Sequence, residues 1–155
     1  MNLSKILKKC KTSFETENYS ERPITGVSLN SKEIMKNFIF AAIKGNVTNG
    51  EKFIPDLIYG LKSLVIIINY KSRIKIDFNK YKLITIIRTS DVRKLISEIS
   101  FIFYPNKIKE KVAVTGTNGK TSIVDYTRQL WNLKKINSGS LGTLGVFNKK
   151  KILNL

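Results

Sequence analysis

Lys120 and Thr121 directly follow the turn Gly116-Thr117-Asn118-Gly119, and Ser122 comes next. A β-branched run (Val112, Val114, Thr115) leads into the turn, and apolar residues at helical spacing begin after it. Strand, tight turn and helix N-terminus in that order form the layout of a phosphate-binding loop. Gly116 and Gly119 let the backbone turn sharply and aim N–H groups at an anion. Lys120 is expected to reach the β- and γ-phosphates of a nucleotide as a point charge. The Thr121 hydroxyl is expected to ligate Mg²⁺. The helix macrodipole adds partial positive charge at the same place. The loop is a variant, because the strict pattern wants Gly five residues before Gly119 and this chain has Val114. A plain glycine turn with a solvated lysine is the bland alternative. Gly-Lys-Thr at a strand-to-helix junction favours the phosphate reading.

Composition bounds what such a loop can belong to. With 155 residues the chain holds one ordinary domain, or a small domain and part of another. Its 42% hydrophobic content is that of a globular protein. The longest apolar runs, such as Leu64–Ile68, have strand length, so no membrane span is expected. The N-terminus carries lysines but no long apolar segment or small-residue cleavage site, which argues against secretion. The single cysteine, Cys10, cannot form an internal disulfide and fits a reducing cytoplasm as an inert helix residue. With no histidine, imidazole acid–base chemistry and His/Cys metal sites are excluded from these residues. The net charge of +17 invites a nucleic-acid reading. Only 5 of the 28 basic residues are arginine, and the lysines are scattered in short runs. Base and phosphate recognition favours arginine, so solvated lysine faces are the better reading and nucleic acid is disfavoured as a partner.

The elements that must position the loop follow from periodicity. Leu3, Ile6, Leu7 and Cys10 predict a short amphipathic helix over 3–11, followed by a polar loop over 12–23. Strands are expected at Ile24–Leu29, Phe38–Ile43, Leu64–Ile68 and Leu83–Ile87. A helix is expected over Phe53–Leu61. Ser90-Asp91 caps another, with Val92, Leu95, Ile96, Ile99 and Ile102 at helical spacing. Pro105-Asn106 ends it. The pattern then restarts with a strand at 111–115, the loop, a helix over about 120–134, and a strand over about 136–140. A domain boundary is expected near Pro105–Lys109, giving domains 1–106 and 107–155 and an α/β fold class.

Thr115-Gly116-Thr117-Asn118-Gly119-Lys120-Thr121 resembles the nucleotide loop of the Mur ligases, the ATP-dependent amino-acid ligases of peptidoglycan synthesis. Folylpolyglutamate synthases carry a similar loop, so two further segments matter. Ile24–Lys32, with Asn30-Ser31-Lys32 where the family commonly has Asp-Ser-Arg, resembles the first-domain motif of the ligases acting at the third and later steps. Phe38–Gly45 and Asn49–Ile54 continue it. Asn30 and Asn49 replace carboxylates, and Lys32 replaces a bidentate fork. Ser138–Val146 resembles the segment after the loop helix in the members that add the third amino acid.

The resemblance implies a small N-terminal α/β domain holding the uridine-diphosphate end of the substrate, followed by the beginning of a P-loop central domain. It places substrate contacts on Leu29, Ser31, Asn46, Val47 and Thr48. It places ATP on Gly116, Thr117, Asn118, Gly119, Lys120, Thr121 and Ser122, with Mg²⁺ on Thr121. The implied ligand is a UDP-N-acetylmuramoyl dipeptide, and the implied reaction adds diaminopimelate or lysine, in the cytoplasm. The 45 residues from Lys111 to Leu155 amount to one strand–helix–strand unit, so the central domain is expected to be incomplete. The family's second acidic Mg²⁺ ligand, its lysine carbamate and its C-terminal domain have no counterpart here. The expectation is an N-terminal part of such a ligase, inactive alone, with the remaining C-terminal part as a partner. The alternatives are a non-catalytic UDP-sugar-binding remnant and a basic nucleic-acid-binding protein.

Overall fold

Three apolar runs organise the first part of the chain. The structure is a computed structural model that describes residues 1–45, 48–61, 63–105, 108–148 and 151–153. It divides into two compact units, Met1–Asn106 and Lys107–Leu155. In the first unit, β3 (Phe38–Ala41), β4 (Ser63–Asn69) and β5 (Leu83–Thr89) run parallel with β2 (Gly26–Ser28). Their side chains alternate between two cores, as a strand period of two requires. Val65, Ile67, Ile39, Ala41 and Ile87 face one side, where α1 (Leu3–Leu7) and α3 (Val92–Phe103) pack. Leu64, Ile66, Ile68, Phe40, Ile84 and Ile86 face the other, covered by α2 (Ile54–Gly60) and by Ile74, Ile76, Phe78 and Tyr81 of the β4–β5 connection. Burial on both faces is why these strands read as continuous apolar runs.

The polar stretch over 12–23 is not all loop. Phe14–Glu17 forms β1, which pairs antiparallel with β5 and completes the sheet order β1-β5-β4-β3-β2. An edge strand needs pairing on one side only and tolerates charged residues outward, so Glu15 and Glu17 masked it. Glu17 forms an ion pair with Arg88 of β5. Buried Arg22 anchors the segment that follows, donating from Nη2 to Thr85 Oγ1 (3.0 Å) and from Nε to the Ser20 carbonyl (3.1 Å). The helix at the N-terminus is shorter than periodicity suggests: it stops at Leu7, and Cys10 lies beyond it.

The second unit contains α4 (Lys120–Leu133) and a three-stranded antiparallel sheet, β6 (Ser140–Gly142), β7 (Gly145–Phe147) and β8 (Lys151–Leu153). The helix starts where the sequence places it. The strand expected over 111–115 does not form: these residues pair with no strand, and Val112 is 59% exposed. The strand expected over 136–140 begins instead at Ser140 and turns into a hairpin. A parallel strand needs a parallel neighbour to take its hydrogen bonds. The strands described in this unit satisfy one another antiparallel and leave 111–115 without one. No residue of α4 is buried.

Candidate functional site

Parallel strands leave their C-terminal ends on one edge, where open α/β sheets bind ligands. In the first unit those ends are Ser28, Ala41, Asn69 and Thr89. The loops after β3, β4 and β5 enclose a cleft of about 620 Å³. Its lining includes the apolar residues Ala42, Ile43 and Val92 and the cationic rim residues Lys44, Lys71, Arg73 and Arg93, whose side chains are exposed. Asn69 ties the rim together: its Nδ2 donates to the Ser90 carbonyl (3.0 Å), and its Oδ1 accepts from the Lys71 amide (2.9 Å). Asp91 also lines the cleft and caps α3, accepting from the Lys94 amide at 2.9 Å. Arg93 Nη2 reaches the Lys44 carbonyl at 3.5 Å.

Thr48 belongs to the loop after β3, which is closed by the Lys44–Asn49 bridge and by the Gly45 amide donating to the Thr48 carbonyl (2.9 Å). Asn46 and Val47 lie outside the described residues. Leu29 and Ser31 follow β2 on the same sheet edge but do not line the cleft. Leu29 is 56% exposed, and Ser31 opens a 3-10 turn, Ser31–Glu33. Asn30 caps that turn through Oδ1 to the Lys32 amide (3.1 Å), and Asn49 caps the turn Gly50–Phe53 in the same way (3.1 Å to the Glu51 amide). Asn caps such a turn as well as Asp, so the two carboxylate losses seen in the sequence leave the local backbone intact. Lys71, Arg73 and Arg93 were not singled out by sequence. Their signal is position, directly after the ends of two central strands, and it is drowned in a chain with 28 basic residues.

In the second unit, Gly116, Thr117, Asn118, Gly119, Lys120, Thr121 and Ser122 form an exposed loop running into the first turn of α4. Gly116 (φ +147°) and Gly119 (φ +75°) hold conformations that side-chain-bearing residues avoid. Gly119 is the N-cap of α4, and no side chain caps the helix start. Lys120 Nζ folds back onto the loop and donates to the carbonyls of Gly116 and Thr117 (2.8 Å to the latter). Lys120 and Thr121 line a cavity of about 420 Å³ with Asp125, Arg128 and the β6–β7 hairpin. Asp125 is committed, accepting from Arg128 Nη2 and Gln129 Nε2, both at 2.6 Å. The Arg128 bond first, then Gln129, holds its carboxyl below the usual range. Arg128 also stacks 5.7 Å from the Phe147 ring and donates to the Asn148 carbonyl.

A nucleotide phosphate fits this arrangement. It has a loop with two glycine turns, an uncapped helix start and a lysine whose present acceptors are only carbonyls. Thr121 offers a single hydroxyl to Mg²⁺. Among the described residues no group of three His, Cys, Asp or Glu side chains could hold a metal. Magnesium is commonly held by one or two protein groups, waters and substrate phosphates, so Thr121 suits that partial role.

No family model matches the chain. Curated relatives do. The chain is 39% identical over 128 residues to the UDP-N-acetylmuramoyl-L-alanyl-D-glutamate–2,6-diaminopimelate ligase of Rickettsia felis, covering 83% of this chain and 23% of that protein. The Rickettsia prowazekii protein of the same name is 38% identical over 138 residues, covering 88% of this chain and 27% of its own length. The Brucella melitensis protein, again of that name, is 33% identical over 128 residues, 83% of this chain and 25% of the relative. The chain thus spans about a quarter of the length of the relatives it matches.

Proposed function

The chain is a homologue of the Mur ligases that carry the name UDP-N-acetylmuramoyl-L-alanyl-D-glutamate–2,6-diaminopimelate ligase, and from that premise we propose a two-part division of labour. The first unit holds the uridine-diphosphate end of a UDP-N-acetylmuramoyl dipeptide, through Leu29, Ser31 and the loop containing Asn46, Val47 and Thr48. The second unit is the beginning of a P-loop central domain, and its residues Gly116–Ser122 hold ATP, with Thr121 toward Mg²⁺. The observation that carries this is the extent of the similarity. A match over 128 residues of a 155-residue chain has to include residues 28–128, hence both loops.

When bound, ATP supplies a phosphoryl group that activates a carboxylate for attack by an amine. What this chain contributes is binding and orientation. Lys120 leaves the loop carbonyls for the phosphates, and the amides of the first turn of α4 face the same anion. Ser31 donates a hydroxyl hydrogen bond at the far end of the substrate. The full ligation, in the cytoplasm and toward peptidoglycan, belongs to a polypeptide of the relatives' length. These 155 residues bind without turning over.

Calorimetric titration with the UDP-muramoyl dipeptide tests the division. Ser31→Ala should weaken binding by about 0.5–1.5 kcal/mol, the net worth of one hydrogen bond. Lys120→Ala should leave it nearly unchanged and instead abolish ATP binding. Loss of the UDP ligand in Lys120→Ala with none in Ser31→Ala would reverse the assignment. Release of ADP that depends on the dipeptide substrate would show turnover.

A further inference from the structure

We propose that the groove between α2 and residues 72–77 docks an acidic, extended segment of a partner protein by strand addition. Residues 72–77 of the β4–β5 connection form no helix, turn or strand ladder. Their exposure still alternates with a strand's period of two. Ile74 and Ile76 are half-buried against the core, while Arg73, Lys75 and Asp77 are exposed. Arg88 fastens one edge of the segment, donating from Nη1 to the Ser72 carbonyl and from Nη2 to the Ile74 carbonyl (3.1 Å each). In an extended chain, successive residues aim their N–H and C=O groups to opposite sides. Those of Arg73 and Lys75 therefore point away from Arg88. Among the described residues, neither backbone forms a hydrogen bond. An open edge of this kind pairs readily with another extended chain.

Beside the segment runs a groove of about 540 Å³, lined by Ile54, Ile58 and Tyr59 of α2 and by Ile74, Ile76 and Tyr81 of the connection. Ile54 and Ile58 are buried, whereas Tyr59 is 80% exposed. A bound chain would cover Tyr59, and aromatic side chains of that kind carry much of the energy of protein interfaces. Charge selects the occupant. Residues 70–82 carry Lys71, Arg73, Lys75, Lys80 and Lys82 against the single acid Asp77. Asp77 Oδ1 already accepts from the Asn79 and Lys80 amides (3.0 and 3.4 Å). Asp56 is the one acid that α2 adds to the lining. A second copy of this chain would bring +17 against +17, which repulsion disfavours. A nucleic acid would meet one cation, Lys75, in the groove lining, too few for its phosphate backbone. An acidic strand instead sets carboxylates beside Arg73 and Lys75 and apolar side chains over Ile54 and Ile58.

The test is amide-resolved NMR titration of the full 155-residue chain with a capped peptide of alternating glutamate and valine. Three further peptides accompany it: alternating lysine and valine, and the acidic peptide N-methylated on its glutamates or on its valines. Each methylation blocks one edge of the strand. The acidic peptide is expected to shift the amides of 54–59 and 73–77, and added salt to weaken it. One methylated version should lose binding while the other keeps it, and the lysine peptide should not bind. Lys75→Ala removes a charge, and Lys75→Pro removes the backbone donor as well. Lys75 is exposed, and an unchanged spectrum away from the groove certifies the fold. Lys75→Pro should bind the acidic peptide about tenfold more weakly than Lys75→Ala, within the worth of one hydrogen bond. Equal affinity of the two variants, equal binding of the two methylated peptides, or no binding of the acidic peptide overturns the proposal. Shifts confined to 43–44 and 91–93 overturn it by moving the peptide to the basic cleft at the sheet edge. Concentration-dependent dimerisation that Lys75→Pro abolishes would also overturn it, giving the groove to a second copy.

Discussion

The Cys10 thiol lies partly buried beyond α1, with Sγ donating to the Ile6 carbonyl at 3.5 Å. Burial first, and the Glu98 charge second, push it up to about 11. Only the thiolate is nucleophilic, so a rise of two pKa units cuts reactivity at neutral pH by about a hundredfold. Iodoacetamide should therefore label the folded chain slowly at pH 7.5, faster as pH approaches 11, and at the free-cysteine rate in denaturant. Labelling of the folded chain at the free-cysteine rate at pH 7.5 would contradict this. Glu98 accepts from the Lys11 and Thr12 amides (2.8 and 3.1 Å) and from the Thr12 hydroxyl (3.0 Å), fastening the segment after α1 to α3. Burial pushes its carboxyl up, but these hydrogen bonds outweigh it and leave the group below its ordinary value. A carboxyl lowered by folding adds stability above its unfolded pKa and loses it as pH falls through the folded one. Urea midpoints of the wild-type chain should drop more between pH 6 and pH 3 than those of Glu98→Gln; equal drops would remove Glu98 from the acid response.

Close backbone approach helps to hold the loop after β3. A Cβ at Gly50 would lie 3.0 Å from both the Ala42 Cα and the Ile43 amide nitrogen. Backbone cannot step aside as a flexible side chain can, so Gly50→Ala should destabilise the first unit by about 1–3 kcal/mol, the usual cost of overpacking. It should also loosen UDP binding, because the Gly50 amide donates to the Ile43 carbonyl at the root of that loop (3.0 Å). Chemical denaturation checks the first effect; a midpoint equal to wild type would show that the loop adapts. The elements that could be read from sequence share one property. β3, β4, β5 and α3 bury residues on regular periods, and Leu64–Ile68 or Val92–Ile99 announce themselves. β1 escaped because a polar edge strand depends on its partner β5, seventy residues away. The strand expected at 111–115 has the right composition, yet composition does not supply a neighbour. The phosphate loop was readable because glycine positions and a helix start are local. The basic cleft was not, because Lys44, Lys71 and Arg93 meet only once the strands lie side by side.

The two units differ in what they bury, and that sets how each should open. In Met1–Asn106 the central strands are enclosed on both faces, with Val65, Ile66, Ile67 and Ile87 fully buried. In Lys107–Leu155 the 14-residue helix α4 has no fully buried residue: Val124, Arg128 and Trp131 are half-buried, and Ile123, Leu130 and Leu133 are 52, 60 and 80% exposed. An isolated helix of about that length is marginal in water, since most helical stability comes from packing. Amides of β4 and β5 should therefore exchange only through global unfolding of their unit, while those of α4 exchange through local opening at much lower free energy. Hydrogen exchange followed by mass spectrometry would show protection in peptides spanning 64–69 and 83–89 long after 120–133 has exchanged. Comparable protection of 120–133 would mean that α4 is stabilised by contacts absent from this structure. Binding makes a second, independent contrast. A ligand that binds only the folded form stabilises it by RT ln(1 + [L]/Kd), about 2.7 kcal/mol at a hundredfold excess over Kd. ATP with Mg²⁺ should slow exchange at 116–124 and leave 64–69 unchanged, whereas UDP should slow exchange around 42–50 and leave α4 unchanged. If either nucleotide protected the other unit's peptides instead, the assignment of ATP to Lys120 and of the UDP end to the first unit would have to be exchanged.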